Sequence, residues 1–330
     1  MNILILGGTV FVGRHIVKSS LSRGHSVTLF NRGQHNPELF PEIEKIKGDR
    51  TVSLDPLKGR KFDAVIDTCG YFPRAVKMSA EFLKDSTDHY TFISTISVYK
   101  DFSIKGIDEN SETGKIVDES IEEVTGESYG PLKVLCENAV AAIYKDKALN
   151  IRPGLIVGEN DPTDRFTYWV HRINEGGKFL APDGKNSNVQ FIDVKDLADW
   201  TVVMAEEKKS GVYNATGPDY KLSFEKFITT CQEVSANNSE IIRASEKFIA
   251  DENVSGWTDL PMWIPEEEEG VNNINISKAL KDGLKFRPLK ETIVDTLKYD
   301  GSRKDHVFRA GLKPDRESEL IKKWEELNSA

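Results

Sequence analysis

The sequence predicts an α/β protein built on a doubly wound parallel sheet, with a smaller domain supplied largely by the C-terminal part of the chain. Three observations lead there. The chain opens on an apolar run, Ile3-Leu4-Ile5-Leu6, with no polar face, as expected of a parallel strand covered on both sides. Glycines follow at once in Gly7-Gly8-Thr9-Val10-Phe11-Val12-Gly13, and the segment from Arg14 to Leu21 is an amphipathic helix. Four more strands are then read before residue 100.

Strand, glycine turn and helix form the context in which a glycine fingerprint signals dinucleotide binding, because the turn lets backbone approach a pyrophosphate at the helix N-terminus. Gly7 and Gly13 take the outer positions of the three-glycine pattern, Val10 takes the middle one, and Gly8 is an extra glycine. Candidate cofactor contacts are therefore Gly7, Gly8, Thr9, Phe11, Val12 and Gly13. A tight turn without a ligand is the alternative.

The second strand, Ser26 to Phe30, ends in Asn31-Arg32-Gly33. In a dinucleotide fold this tip meets the adenosine ribose, where a carboxylate would bind the 2′-hydroxyl of NAD. Asn31 lacks the charge that repels a 2′-phosphate and Arg32 attracts one, which favours NADP over NAD; the alternative is a solvated turn arginine. Glu44 to Arg50 reads as a short polar third strand, with Asp49 either an adenine ligand or an ordinary turn aspartate. The fourth strand, Phe62 to Gly70, closes with Thr68-Cys69-Gly70 on the sheet edge where ligands bind. With no histidine nearby in sequence, Cys69 is read as a small residue beside the cofactor rather than a nucleophile.

Tyr90 to Tyr99 reads as a fifth strand with hydroxyls clustered at its end. An acidic loop follows, and then a helix beginning near Ser128, where Pro131 is tolerated in a first turn whose amides have no intrahelical partner. Tyr129 and Lys133 are then four apart and face the same way. A phenol ionises near pH 10, and a neighbouring ammonium lowers that value, so Tyr129 could exchange a proton with a carbinol or carbonyl oxygen. The Thr95 hydroxyl would hold the same oxygen. Two unrelated residues on a solvated helix face are the alternative for the pair.

These features resemble the short-chain dehydrogenase/reductase superfamily, in its extended branch of nucleotide-sugar epimerases, dehydratases and reductases. The glycine stretch is similar to an atypical subgroup labelled isoflavone-reductase-like or chloroplast stem-loop-binding-like. Gly48-Asp49-Arg50, Ile151 to Gly158, Phe191 to Ala198 and Val212 to Gly217 match as well. The resemblance implies a Rossmann-type fold, an NAD or NADP cofactor, and catalysis by Thr95, Tyr129 and Lys133, with Pro153 beside the cofactor. It further implies hydride transfer at a carbinol or carbonyl of a small molecule, a nucleotide sugar among the candidates, and a homodimer. Where sugar 4,6-dehydratases carry an acidic pair, this chain has Ile96 and Ser97. Residues 1–153 with about 187–217 would form the dinucleotide domain, and 154–186 with 218–330 the substrate domain. A second reading, from another class, is an RNA-binding or regulatory protein that uses the fold as a scaffold.

In the substrate region, Arg165 or Arg172 would pair with a substrate phosphate or carboxylate, or else with Asp161 or Asp164 inside the chain. Trp257 to Pro265 walls a pocket or packs the smaller domain, Glu266 to Glu269 reads as a solvated loop, and Leu320, Ile321, Trp324 and Leu327 share one face of a closing helix. Three widely spaced cysteines and six histidines form no metal-ligand pattern, so no metal is expected. The net charge of -9 argues against nucleic acid or an anionic membrane as partner. With no transmembrane-length run and no signal peptide, the expected location is the cytoplasm.

Overall fold

The computed structural model describes residues 1–184, 187–264 and 266–328. In β1 (Asn2–Leu6) successive side chains go to opposite faces, so Ile3 and Ile5 enter one core while Leu4 and Leu6 enter another. From there α1 (Val12–Ser22) leads to β2 (Ser26–Asn31) and β3 (Glu44–Lys47) on one side of β1. The chain then crosses to the other side with β4 (Ala64–Asp67), α2 (Pro73–Leu83), β5 (Tyr90–Ile93), α3 (Gly126–Tyr144) and β6 (Ala148–Pro153). Next come β7 (Leu155–Val157), α4 (Arg165–Glu175), β8 (Gly177–Pro182), β9 (Phe191–Asp193), α5 (Val194–Glu206) and β10 (Gly211–Ala215). The remaining elements are α6 (Phe224–Val234), β11 (Ser239–Ala244), α7 (Glu246–Asp251), α8 (Ser277–Lys281), α9 (Leu289–Gly301) and α10 (Pro314–Asn328).

Seven parallel strands lie in the order β10-β6-β5-β4-β1-β2-β3. Helices α1 and α5 pack together, as do α2 and α3. Their apolar faces fill the two separate cores, Ile16 and Leu197 with Ile3 and Ile5, Val76 and Val140 with Leu4 and Leu6. The fold is therefore a Rossmann-like doubly wound α/β sheet. Strand order reverses between β1 and β4, and the crevice at their carboxyl ends is where such sheets bind ligands. A third core joins α4, α6, α9 and α10 to the two-stranded pair β8 and β11.

Several elements differ in extent from the sequence reading. The fifth strand stops at Ile93, because the Thr95 side chain accepts a hydrogen bond from the Ser97 amide and turns residues 96–98 into a 3-10 helix. Helix α3 begins at Gly126, where Thr125 and Ser128 cap each other's backbone amides. Pro131 consequently lies inside the helix rather than in its first turn, and the missing bond falls on the carbonyl of exposed Glu127, which water can reach. Leu327, read as part of a packed face, is 67% exposed, whereas Leu320 and Ile321 are buried. Residues 266–272 form a 3-10 helix rather than a plain loop, with Glu269 paired to Lys105; Pro265 lies outside the described residues. No described helix is long and apolar enough to cross a membrane.

Candidate active site

The glycine turn sits at the β1–β4 crevice and is built by close contact. Gly7 and Gly8 have φ of +104° and +94°, which side chains other than glycine's rarely adopt. A Cβ on Gly13 would stand 2.7 Å from the Gly8 nitrogen and 2.9 Å from the Thr68 hydroxyl, so only glycine lets α1 start this near the turn. Thr68 in turn donates to the Leu6 carbonyl at 2.9 Å. Val10, at the middle fingerprint position, is half exposed and its side chain belongs to none of the cores. Phe11 and Thr9 are buried beside it.

This turn fits a dinucleotide. The N-terminus of α1 has no side-chain cap and no acidic residue in its first turn, which leaves amide donors and a positive helix end for a pyrophosphate. Along the same carboxyl edge of the sheet, two buried hydroxyls have no hydrogen-bond partner among the described residues: Ser94 after β5, two strands from β1, and Thr216 after β10, four strands from β1. At the tip of β2, the Asn31 amide donates to the Gly7 carbonyl at 2.8 Å and its oxygen accepts from Gly33, so Asn31 braces the turn. Arg32 is exposed with no hydrogen bond or ion pair among the described residues; the Asp49 carboxyl is held below its usual value first by its bonds from Thr51 and last by the Arg32 charge. Asp49 also caps its own turn, accepting from the Thr51 amide at 2.9 Å and hydroxyl at 2.7 Å, the behaviour of a turn aspartate.

Thr95 and Tyr129 are brought together by the packing of α3 on the 3-10 turn. Gly130 makes this possible: a Cβ there would lie 2.0 Å from the Ser97 carbonyl oxygen. Across this contact the Tyr129 phenol comes near the Thr95 hydroxyl, which itself donates to the Ser97 hydroxyl at 3.1 Å and accepts from the Ser97 amide at 3.1 Å. The phenol's pKa nonetheless stands above its usual value, raised first by burial and then by the neighbouring phenol of Tyr71, against the downward pull of Thr95. This corrects the expectation that Lys133 lowers it. The ammonium is engaged elsewhere: it is buried, donates to the Gly70 carbonyl at 2.9 Å and the Ile93 carbonyl at 2.7 Å, and lies 4.1 Å over the Phe92 ring. Burial brings its pKa down to about 8. Lys133 thus ties α3 to the ends of β4 and β5.

Beneath the site lies a network that motif reading missed. Arg50 is buried and donates from both terminal nitrogens to the Asp67 carboxylate at 2.6 and 2.7 Å, while the Tyr90 hydroxyl donates to the same group at 2.8 Å. Burial opposes charge on Asp67, yet the guanidinium beside it outweighs that and holds the carboxyl below its usual range. A carboxylate inside the apolar strand Ala64-Val65-Ile66-Asp67 was the available signal. Cys69 lies over this network, 3.6 Å from Arg50. Burial raises its thiol pKa, which keeps it protonated and suits packing rather than nucleophilic attack.

Pro153 is buried at the end of β6, next to the strand end that carries Thr216. The two substrate arginines part company. Arg172 is committed within the chain, donating to Glu317 at 2.6 Å and to the Gly176 and Lys178 carbonyls at 3.0 and 2.5 Å, so it is not available to a ligand. Arg165 is partly buried, lies 5.0 Å from the Trp257 ring centre, and forms no ion pair with either Asp161 or Asp164. Among the described residues, no group of three or more His, Cys, Asp or Glu is placed to hold a metal ion.

Comparison with known proteins bears on the family and the fold. A sequence model described as the NAD dependent epimerase/dehydratase family matches residues 3–88 and 75–216. A chloroplast stem-loop binding protein of 41 kDa from Arabidopsis thaliana is 26% identical over 254 residues, 69% of this chain. The match spans 62% of that relative's length, less than two thirds. Among solved structures, a UDP-glucose 4-epimerase of Thermotoga maritima with UDP-glucose superposes with a TM-score of 0.68 at 13% identity, covering 92% of this chain and 99% of that one. A UDP-glucuronic acid 4-epimerase of Bacillus cereus in complex with NAD gives 0.63 at 17% identity, over 92% and 99% of the two chains. At such identities these two structures speak for the fold.

Proposed function

This chain belongs to the NAD dependent epimerase/dehydratase family, and from that premise we propose that it is an epimerase or reductase acting at a carbinol or carbonyl carbon of a small molecule through Thr95, Tyr129 and Lys133. The nicotinamide of a bound cofactor would supply the hydride acceptor and donor. Tyr129 exchanges the proton of the substrate oxygen, and Thr95 holds that oxygen through its hydroxyl. Because burial and Tyr71 keep the phenol protonated, Tyr129 is set as the acid for the carbonyl-reducing direction. Lys133 fixes the helix that carries it, through two ammonium protons donated to backbone carbonyls.

The approach of the Tyr129 phenol to the Thr95 hydroxyl at the carboxyl end of the parallel sheet, the end that also carries the glycine turn, carries this reading. Ile96 and Ser97 favour epimerase or reductase over dehydratase, since Ile96 is buried and Ser97 is bonded to Thr95, with no acid or base at either place. Arg32, exposed and without an ion pair among the described residues, supports NADP as the preferred form.

Titration calorimetry with NAD and NADP tests the cofactor: both should bind, NADP more tightly, and absence of binding by either ends the proposal. Tyr129→Phe should lower turnover at least a hundredfold and leave cofactor affinity within a factor of about three. Retained turnover would remove Tyr129 from its role. An epimerase would be purified with cofactor absorbance already present, whereas a reductase would release it at each turnover.

A further inference from the structure

We propose that residues 115–124 form a lid over Tyr129, latched by the ion pair between Glu122 and Arg74, so that an exposed contact governs access to the site. That the lid guards a catalytic phenol rests on the enzyme reading above; whether it opens does not.

The segment runs between two anchors that flank Tyr129. Before it, Thr113 pairs with Tyr99, the Gly114 amide donates to the Val98 carbonyl at 2.8 Å, and a Cβ on Gly114 would stand 3.3 Å from the Pro131 ring. After it, the Ser128 hydroxyl donates to the Glu123 carbonyl at 2.7 Å, and the Tyr129 amide donates to the Thr125 carbonyl at 3.0 Å. Both ends are thus fixed to residues within two positions of Tyr129.

Between the anchors little holds the segment. Asp118 accepts from the Ser120 amide at 2.9 Å and hydroxyl at 2.6 Å, a turn that closes on itself. Among the described residues, no hydrogen bond joins 115–121 to the rest of the chain. The tie comes at Glu122, which accepts from two Arg74 nitrogens at 2.5 and 2.9 Å. Arg74 is itself steadied by donating to the Thr51 carbonyl at 3.2 Å. It stands in the first turn of α2, three residues past Tyr71, whose phenol neighbours Tyr129 and whose ring centre lies 5.9 Å from the Lys133 ammonium. The latch therefore joins the segment to the strand end that carries Tyr71, while Gly114 joins it to the strand end that carries Thr95.

Charge and apolar surface both favour motion here. A solvent-exposed ion pair contributes little and is screened by salt, so local opening is easy. The segment carries Asp118, Glu119, Glu122 and Glu123 against Lys115 alone, and these carboxylates repel one another once Arg74 lets go. Val117 is fully exposed, and Val124 and Tyr71 are about half exposed, so a ligand lying at Tyr129 gives them apolar surface to cover.

The test treats the full chain with tetranitromethane, which nitrates accessible phenols, and follows the rate at Tyr129 by peptide mass. Arg74→Gln or Glu122→Gln should raise that rate about three- to fivefold, the range open to an exposed ion pair. Exchanging the charges, Arg74→Glu with Glu122→Arg, should return the rate to within about twofold of wild type. Salt at about 0.5 M should raise it in wild type and leave Glu122→Gln unchanged, because screening acts on the pair. Tyr220, half exposed beyond β10, reports on the rest of the fold and should nitrate alike in every form. Equal rates at Tyr129 in wild type and both single variants overturn the proposal, as does an unrestored rate in the exchanged pair or a rise shared by Tyr220. If Tyr129→Phe retains turnover, the enzyme reading fails separately, and nitration still decides on the lid.

Discussion

Lys133 is an ammonium buried without a carboxylate partner in its hydrogen-bonding shell, and this makes one residue measurable in the stability of the whole chain. Its pKa in the fold is about 8, against roughly 10.4 for a free lysine. Below pH 8 both states are protonated and the fold carries the full penalty of the buried charge. Between those two values the unfolded chain binds more protons than the native one, so stability rises with pH across that window. Raising the pH from 7.5 to 9.5 should therefore add about 1–2 kcal/mol from this group. Lys133→Met should lack this gain, read as the difference between urea unfolding curves of the two proteins at both pH values. Equal pH slopes would mean that Lys133 titrates as an ordinary lysine. The four-residue spacing of Tyr129 and Lys133 was legible in the sequence. The carbonyls of Gly70 and Ile93 that absorb the ammonium were not, because backbone acceptors at the ends of other strands leave no trace in residue identity.

At the level of elements, the contact between α3 and the 96–98 turn decides whether Tyr129 reaches Thr95. A glycine in a helix interior ordinarily lowers stability by about 1 kcal/mol relative to alanine. Gly130 should behave in the opposite sense, since a Cβ there would meet the Ser97 carbonyl at 2.0 Å and the backbone must separate to admit it. Gly130→Ala should destabilise by about 1–3 kcal/mol, as overpacking does, and should lower turnover because the two hydroxyls part. Thermal unfolding and steady-state rates together check this, and a variant as stable and active as the parent would show that α3 does not depend on the close approach. Local chemistry explains why the turn was not foreseen. Residues 94–99 are hydroxylated, β-branched or aromatic and read as strand, whereas a single bond from the Ser97 amide to Thr95 ends the strand. The capping box of α3 likewise starts the helix ahead of the place that Pro131 suggested.

At the scale of the whole molecule, the parallel sheet was legible because strands covered on both faces are written as apolar runs. The core that joins α4, α6, α9 and α10 to β8 and β11 was not, since those two strands pair only with each other and lie outside the stretches that resemble the family. Charge belongs to this scale too, and it bears on the RNA-binding alternative raised by the likeness to a stem-loop binding protein. Phosphate backbones are held by accessible cations, with affinity that falls steeply as salt displaces them. This chain has 44 lysines and arginines against 53 aspartates and glutamates. Many of its surface cations already face carboxylates, as in Arg23 with Glu206, Arg60 with Glu44, Arg74 with Glu122 and Lys100 with Glu112. An RNA strand would have to displace those pairs and approach a negative surface. Stem-loop RNA at micromolar protein should therefore show no retention in a filter-binding assay at 150 mM salt, and little at 50 mM. Tight binding at 50 mM that collapses by two or more decades at 200 mM would instead count the phosphates contacted and restore RNA as the partner.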